Sequence, residues 1–133
     1  VKALLEKTDV KIVVKNYPLS SSCNNGVSSV VHGWACEAAK LSYCANEQGL
    51  FKEYYEIIYS IQDQIKKPAD LYEILHIGPF DVEELKACAD SDAASDFIKK
   101  DIAEGNRIHI EGTPTFYFQG QKVPSWRNAY LWI

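Results

Sequence analysis

The sequence predicts an α/β protein in which a mixed sheet is covered by helices and a helical block is inserted between its strands. Three observations predict this. A β-branched run, Val10-Lys11-Ile12-Val13-Val14-Lys15, comes early; residues 33–105 carry helical patterning throughout; and Glu111-Gly112-Thr113-Pro114-Thr115-Phe116-Tyr117-Phe118 turns into an aromatic, β-prone run near the end. An early strand and a late hairpin separated by helices imply one sheet with a helical layer on it.

The elements follow in order. Residues 1–7 read as the last turns of a helix, with no capping residue before Val1. Residues 10–15 fit a strand buried on both faces, closed by Asn16, Tyr17 and Pro18. Residues 20–26 are a polar loop carrying Cys23. From residue 33 to 46, Trp34, Ala38, Leu41 and Ala45 recur at helical spacing, and Gly49 supplies a stop. A second helix places Phe51, Tyr54, Tyr55, Ile58 and Ile65 on one face until Pro68, a stripe that reads as core packing. A short helical segment covers residues 71–75 and ends at Gly78-Pro79. Asp81 with Glu84 three residues on predicts a capping box for a helix through Cys88. Ser91 or Asp92 caps the next helix, with Ala94, Phe97, Ile98 and Ile102 inward and Gly105 at its end. Residues 115–119 then form a strand, Gly120 a hairpin turn, residues 122–124 the partner, and residues 126–133 a terminal helix.

The 133 residues suffice for one domain, and 47% apolar with 24% charged residues is an ordinary globular mixture. The net charge of -4, with 14 scattered basic residues, argues against a nucleic-acid partner. No apolar run approaches the roughly 18 residues of a membrane span. The chain begins at Val1 and contains no methionine, so an upstream segment is expected, either a removed secretory signal or a stretch cut away. Four cysteines, an even number, suit an oxidising compartment.

Proline lacks the amide hydrogen a sheet ladder needs, so Pro114 must stand at an edge or at a strand's first residue. The Thr113-Pro114 bond is open to both isomers, because cis costs only about 0.5 to 1 kcal/mol before proline. In the cis form the backbone of Thr113 becomes an unpaired edge able to bind an extended peptide by strand addition. In the trans form the proline simply starts a strand.

Four segments, taken in order and spacing, resemble a known family: Asn16-Tyr17-Pro18-Leu19, His32-Gly33-Trp34-Ala35-Cys36-Glu37-Ala38-Ala39, Ala45-Asn46-Glu47-Gln48-Gly49-Leu50-Phe51 and Gly112-Thr113-Pro114-Thr115-Phe116. Over most of its length the chain resembles the DsbA-like thiol:disulfide oxidoreductases of the thioredoxin superfamily. It looks most like the branch with extra cysteines at Cys23 and Cys36, which is linked to vitamin K epoxide reductase-like membrane partners. The resemblance implies a single thioredoxin-fold domain over residues 1–133 with a helical insertion at about 33–105, lacking its first strand and the start of its first helix. It implies thiol:disulfide exchange on exported polypeptides, no cofactor, a membrane redox partner, and a place in the periplasm or cell envelope with a tether outside the chain. Thr113 and Pro114 would bind substrate.

In such families a Cys-x-x-Cys pair at the first helix start holds the attacking thiolate. Here no two cysteines are separated by two residues, so no catalytic residue is expected in this chain and the pair would precede Val1. The alternative is a member that keeps peptide binding without catalysis. Oligomeric state and the direction of exchange are not predicted.

Cys36 and Cys44, eight residues apart on one helix, lie about 12 Å apart at about 1.5 Å rise per residue. A disulfide needs less than about 7 Å, which removes the connectivity joining Cys23 to Cys88. Of the two left, Cys23 with Cys36 and Cys44 with Cys88 is preferred, since Cys23 lies in the loop feeding the helix that bears Cys36; the family resemblance points the same way. Both bridges read as structural, each contributing about 2 to 4 kcal/mol. A zinc set of Cys23, His32, Cys36 and Cys44 lacks the closely spaced cysteine pairs of such sites, so no metal is expected. His32 reads as a capping or solvent-facing residue, His76 and His109 have no nucleophile near in sequence, and Asp81, Glu83, Glu84, Asp90, Asp92, Asp96 and Asp101 read as caps and solvated helix faces.

Overall fold

The computed structural model describes residues 9–124. They belong to two units, residues 16–107 and a smaller one to which residues 9–15 and 108–124 contribute. The two predicted terminal helices, residues 1–7 and 126–133, lie outside the described residues.

The larger unit holds five helices: α1 (Ala35–Glu47), α2 (Phe51–Ile61), α3 (Pro68–Leu75), α4 (Val82–Ala89) and α5 (Asp92–Arg107), with a 3-10 turn, Gln62–Gln64, after α2. Helix α1 is the centre, packing on α2, α3, α4 and α5. Its residues Leu41, Cys44 and Ala45 recur at i, i+3 and i+4 and are buried in one cluster with Leu71, Leu75, Leu85, Ala89 and Ala94. Each fully buried leucine removes enough apolar surface from water to contribute about 1.5 to 3 kcal/mol.

Gly49 ends α1. It takes φ +73°, its N–H donates to Asn46 O at 2.9 Å, and the Leu50 N–H donates to Ala45 O at 2.8 Å. These two bonds satisfy carbonyls that a helix end otherwise leaves bare. Helix α2 stops at Ile61, four residues before the predicted Ile65. Pro68 opens α3 and forces Lys67 into an extended conformation (φ -144°, ψ 162°). The intervening 3-10 turn delivers Ile65 to the core, where it is buried.

At α4 the predicted capping box forms by half. Asp81 Oδ1 accepts from the Glu84 N–H at 3.0 Å, but the Asp81 N–H donates to Gln48 Oε1 at 3.2 Å. Gln48 also donates from Nε2 to Asp81 O at 3.0 Å, so a residue from the end of α1 replaces Glu84 in the second half of the box. Ser91 caps α5, its Oγ accepting from the Ala94 N–H at 3.3 Å. Gly105 does not end α5, as the sequence predicted; the helix runs on to Arg107. Gly105 continues the inward line of Ala94, Ile98, Asp101 and Ile102 and is buried within it, and the chain leaves helical geometry at His109, with φ 55°.

In the smaller unit the predicted strand over residues 10–15 does not form. Val13 is 63% exposed and Val14 is exposed as well, where burial on both faces was expected. Branching at Cβ favours an extended backbone, but a strand exists only where a second edge pairs with it. The hairpin does form, as β1 (Tyr117–Phe118) and β2 (Gln121–Lys122), antiparallel with Tyr117 opposite Lys122 and Phe118 opposite Gln121. Its two-residue loop puts Gln119 at φ 48° and Gly120 at φ 81°, the pair of left-handed residues whose twist matches the strands. The Val123 N–H donates to Phe116 O at 2.8 Å and lengthens the pairing.

Candidate functional site

Two places carry the chemistry-bearing residues, one in each unit. In the smaller unit, Thr113 and Pro114 are exposed and joined by a cis peptide bond. They line an open depression of about 410 Å³ with Glu111, Phe116 and Lys122 among its walls. Thr115 Oγ1 donates to Gly112 O at 2.5 Å, and Lys122 Nζ meets Glu111 Oε2 at 3.3 Å. Neither the N–H nor the C=O of Thr113 has a hydrogen-bond partner among the described residues. Buried backbone groups are almost always paired, and exposed ones like these are open to an incoming chain.

In the larger unit all four cysteines are bonded, Cys23 to Cys36 (Sγ–Sγ 2.03 Å, Cα–Cα 6.1 Å) and Cys44 to Cys88 (2.00 Å and 5.8 Å). Their surroundings differ. Cys44 is 1% exposed in the middle of the helical core, whereas Cys23 and Cys36 are both only half-buried. No sulfur is left as a thiolate for the zinc set of Cys23, His32, Cys36 and Cys44.

The loop that presents Cys23 is braced from inside by residues the sequence reading passed over as merely polar. Ser20 and Asn24 are fully buried. Asn24 Nδ2 donates to Pro18 O at 3.1 Å, and its Oδ1 accepts from the Gly26 N–H at 2.9 Å. The N–H groups of Cys23 and Asn24 both donate to Ser20 O, at 3.3 and 2.9 Å. The Asn24-Asn25-Gly26 run was the available signal, since Asn side chains close turns onto the backbone two residues on. The loop is tied to α5 as well: Tyr17 Oη donates to Asn106 Oδ1 at 2.7 Å, and Asn106 Nδ2 donates to Asn25 Oδ1 at 2.8 Å.

Cys36 is the second residue of α1. His32 lies just before that helix and is exposed; its backbone C=O, not its ring, accepts the Ala35 N–H at 3.0 Å, while the ring lies 5.2 Å from Trp34. Glu37 on the same turn is engaged twice, by Lys40 Nζ at 2.8 Å and by a short hydrogen bond from Tyr72 Oη. Burial and then that bond to a carboxylate push the Tyr72 hydroxyl well above its ordinary value. His76 caps the end of α3 through its backbone, donating to Tyr72 O at 3.1 Å, and among the described residues no histidine belongs to a cluster that could hold a metal ion.

Residues 1–129 match the family described as a DSBA-like thioredoxin domain. Similar curated proteins are two sodium/proton antiporters of the NhaA type, one from Salinispora tropica, 27% identical over 119 residues, and one from Salinispora arenicola, 24% identical over 119 residues. A third, an NhaA antiporter from Herminiimonas arsenicoxydans, is 27% identical over 93 residues. The matches cover 90%, 90% and 70% of this chain, which itself spans only 17%, 17% and 14% of the length of those relatives. No solved structure matches the chain at comparable significance. Helices packed around α1, a hairpin led by a Gly-Thr-Pro-Thr turn and the nearly full-length family match agree. The chain therefore belongs to the DsbA-like thioredoxin domain family, an α/β thioredoxin-like fold whose function at family level is of the thiol:disulfide oxidoreductase type.

Proposed function

We propose that this chain is the substrate-holding and scaffolding part of a protein that exchanges disulfides with exported polypeptides. The redox Cys-x-x-Cys of that protein lies upstream of residue 1. Residues 1–133 act as a single DsbA-like domain with the helical insertion at about 33–105, and Thr113 and Pro114 bind the substrate chain. The observation that carries this reading is the bare main chain of Thr113 at an exposed turn in a chain of this family. An extended peptide can complete those two hydrogen-bonding groups as an added strand, with main-chain bonds supplying affinity and side chains in the depression supplying selectivity. Exchange itself needs a thiolate attacking a disulfide sulfur, and the upstream pair supplies it.

The Cys44-Cys88 bridge acts structurally in this reading. The working compartment is the periplasm or cell envelope, where disulfides persist. No helix among the described residues is long and apolar enough to cross a membrane; a tether and a membrane redox partner would belong to regions outside this chain, and the antiporter names of its relatives support a membrane association of that kind.

The test is insulin reduction by the parent protein, by the parent with both Cys-x-x-Cys cysteines changed to serine, and by this chain alone. Turnover by the first and negligible turnover by the other two is the expected result. A parent sequence with a signal peptide joined directly to Val1 would end the proposal. That outcome would favour the second reading, a non-catalytic peptide-binding module, which the lack of any Cys-x-x-Cys in residues 1–133 supports.

A further inference from the structure

We propose that the Cys23-Cys36 disulfide is exchangeable, taking two electrons from two molecules of a small anionic thiol, the first of which binds in the cavity beside Cys23. The inference uses only cysteines of this chain and does not depend on the upstream pair.

The cavity is an open depression lined by Cys23, Asn25, Lys99, Ile102, Ala103 and Asn106, with a volume of about 420 Å³. Its wall is of mixed character. The exposed Ala103 offers apolar surface, Ile102 being only 4% exposed; the two asparagines offer amide donors and acceptors, and Lys99 offers a cation. Lys99 is 72% exposed and meets Asp96 only at 3.8 Å, an exposed pair of the kind that holds a charge loosely. A thiol bearing carboxylates would find its counter-charge there.

Cys23 lines this cavity and Cys36 does not, so Cys23 is the half of the bridge that an incoming thiolate meets there. A thiolate arriving from the cavity bonds to Cys23 Sγ, the Sγ–Sγ bond to Cys36 breaks, and Cys36 departs as the thiolate. A second thiolate then attacks the sulfur of the bound molecule, forming a small-molecule disulfide and releasing Cys23. In total two thiols are oxidised to one disulfide, and Cys23 and Cys36, with two protons, are reduced.

The leaving sulfur is placed where negative charge is favoured. At the start of the 13-residue α1, the Ala35 and Ala38 N–H groups are used by His32 O and Trp34 O, while those of Cys36 and Glu37 have no partner among the described residues. Trp34 supplies no side-chain cap. A helix N-terminus with free donors lowers a thiol's pKa, and a thiol of lower pKa leaves faster. The Glu37 carboxylate on the same turn opposes this, but Lys40 and Tyr72 both hold it. The Cys44-Cys88 bridge is closed on one side: Cys44 is 1% exposed, and Cys88, partly buried like Cys23, packs against the same core.

The experiment titrates the oxidised chain with glutathione, quenches in acid, alkylates free thiols and maps them by mass spectrometry. The expected result is a glutathione adduct on Cys23 and alkylation of Cys36, with Cys44 and Cys88 still paired. Lys99→Ala should slow the reaction with glutathione by about 3- to 10-fold and leave the rate with neutral 2-mercaptoethanol unchanged, while Lys99→Arg restores the glutathione rate. Far-UV circular dichroism identical to the parent's checks that the variants fold. An adduct on Cys36, loss of both bridges together, or equal slowing with both thiols would overturn the proposal.

Discussion

Asn24 closes the Cys23 loop from inside, giving one hydrogen bond to a carbonyl and taking one from an amide while itself fully buried. Removing its amide leaves Pro18 O, on a buried residue, without its partner, while the exposed Gly26 N–H can turn to water; an unsatisfied buried group costs about 1 to 3 kcal/mol. Asn24→Ala is accordingly expected to lower the unfolding free energy by that amount, read as a fall in the urea midpoint with an unchanged slope, and a shift near zero would mean that the loop is held by Ser20 alone. Glycine at position 26 belongs to the same device. A Cβ there would stand 2.0 Å from Asn106 Oδ1 and 2.5 Å from Tyr17 Oη, the two atoms whose hydrogen bond ties the loop to α5. At this scale the sequence was readable for residue type but not for burial. A run of Ser, Asn and Gly announces a turn whether its side chains face solvent or the interior, and only the packing of α5 decides which.

Helix ends obey rules that act within a few residues, which is why most elements were legible. Gly49 is a stop because it alone accepts φ +73° without a Cβ clash. Gly49→Ala should cost about 1 to 2 kcal/mol of stability, read as a fall in the thermal midpoint, although nothing lies within 4 Å of the added methyl. At the start of α3 the Asp70 carboxylate accepts from the Lys66 N–H at 2.8 Å and the Lys67 N–H at 3.1 Å. Those bonds, the Lys66 one foremost, hold its carboxyl below the ordinary 3.8. A carboxyl depressed on folding stabilises the chain above its unfolded pKa, and that contribution disappears as pH falls through the folded value. Between about pH 5 and pH 2 the parent should therefore lose more stability than Asp70→Asn, measured as urea midpoints at the two pH values; parallel losses would refute the assignment. The half-formed box at Asp81 and the buried glycine inside α5 escaped the local rules because each depends on another element. Gln48 reaches Asp81 only once α1 and α4 pack side by side, and Gly105 is a stop by composition yet fills an inward position by packing.

Across the larger unit, α1 and α4 are joined twice, by the Gln48-Asp81 hydrogen bonds and by the Cys44-Cys88 bridge, which spans 44 residues of chain. Replacing both of these cysteines by alanine is expected to cost about 2 to 4 kcal/mol, since the bridge restricts the unfolded chain more than the folded one; a loss well under 1 kcal/mol would show that the core around Leu41 holds the helices unaided. The sequence by itself determined the helices of the insertion, the hairpin and its turn, the exclusion of a Cys36-Cys44 bond and the family motif around Thr113 and Pro114. Each of these rests on contacts between residues a few positions apart or on the fixed rise of a helix. Only the tertiary structure decided that residues 10–15 form no strand, that Asn24 is buried, that Gln48 completes the cap of α4, and that Cys23 rather than Cys36 opens onto a cavity. Those outcomes depend on which distant surface arrives beside a residue, and pairing and burial between elements far apart in the chain leave no local periodicity to read.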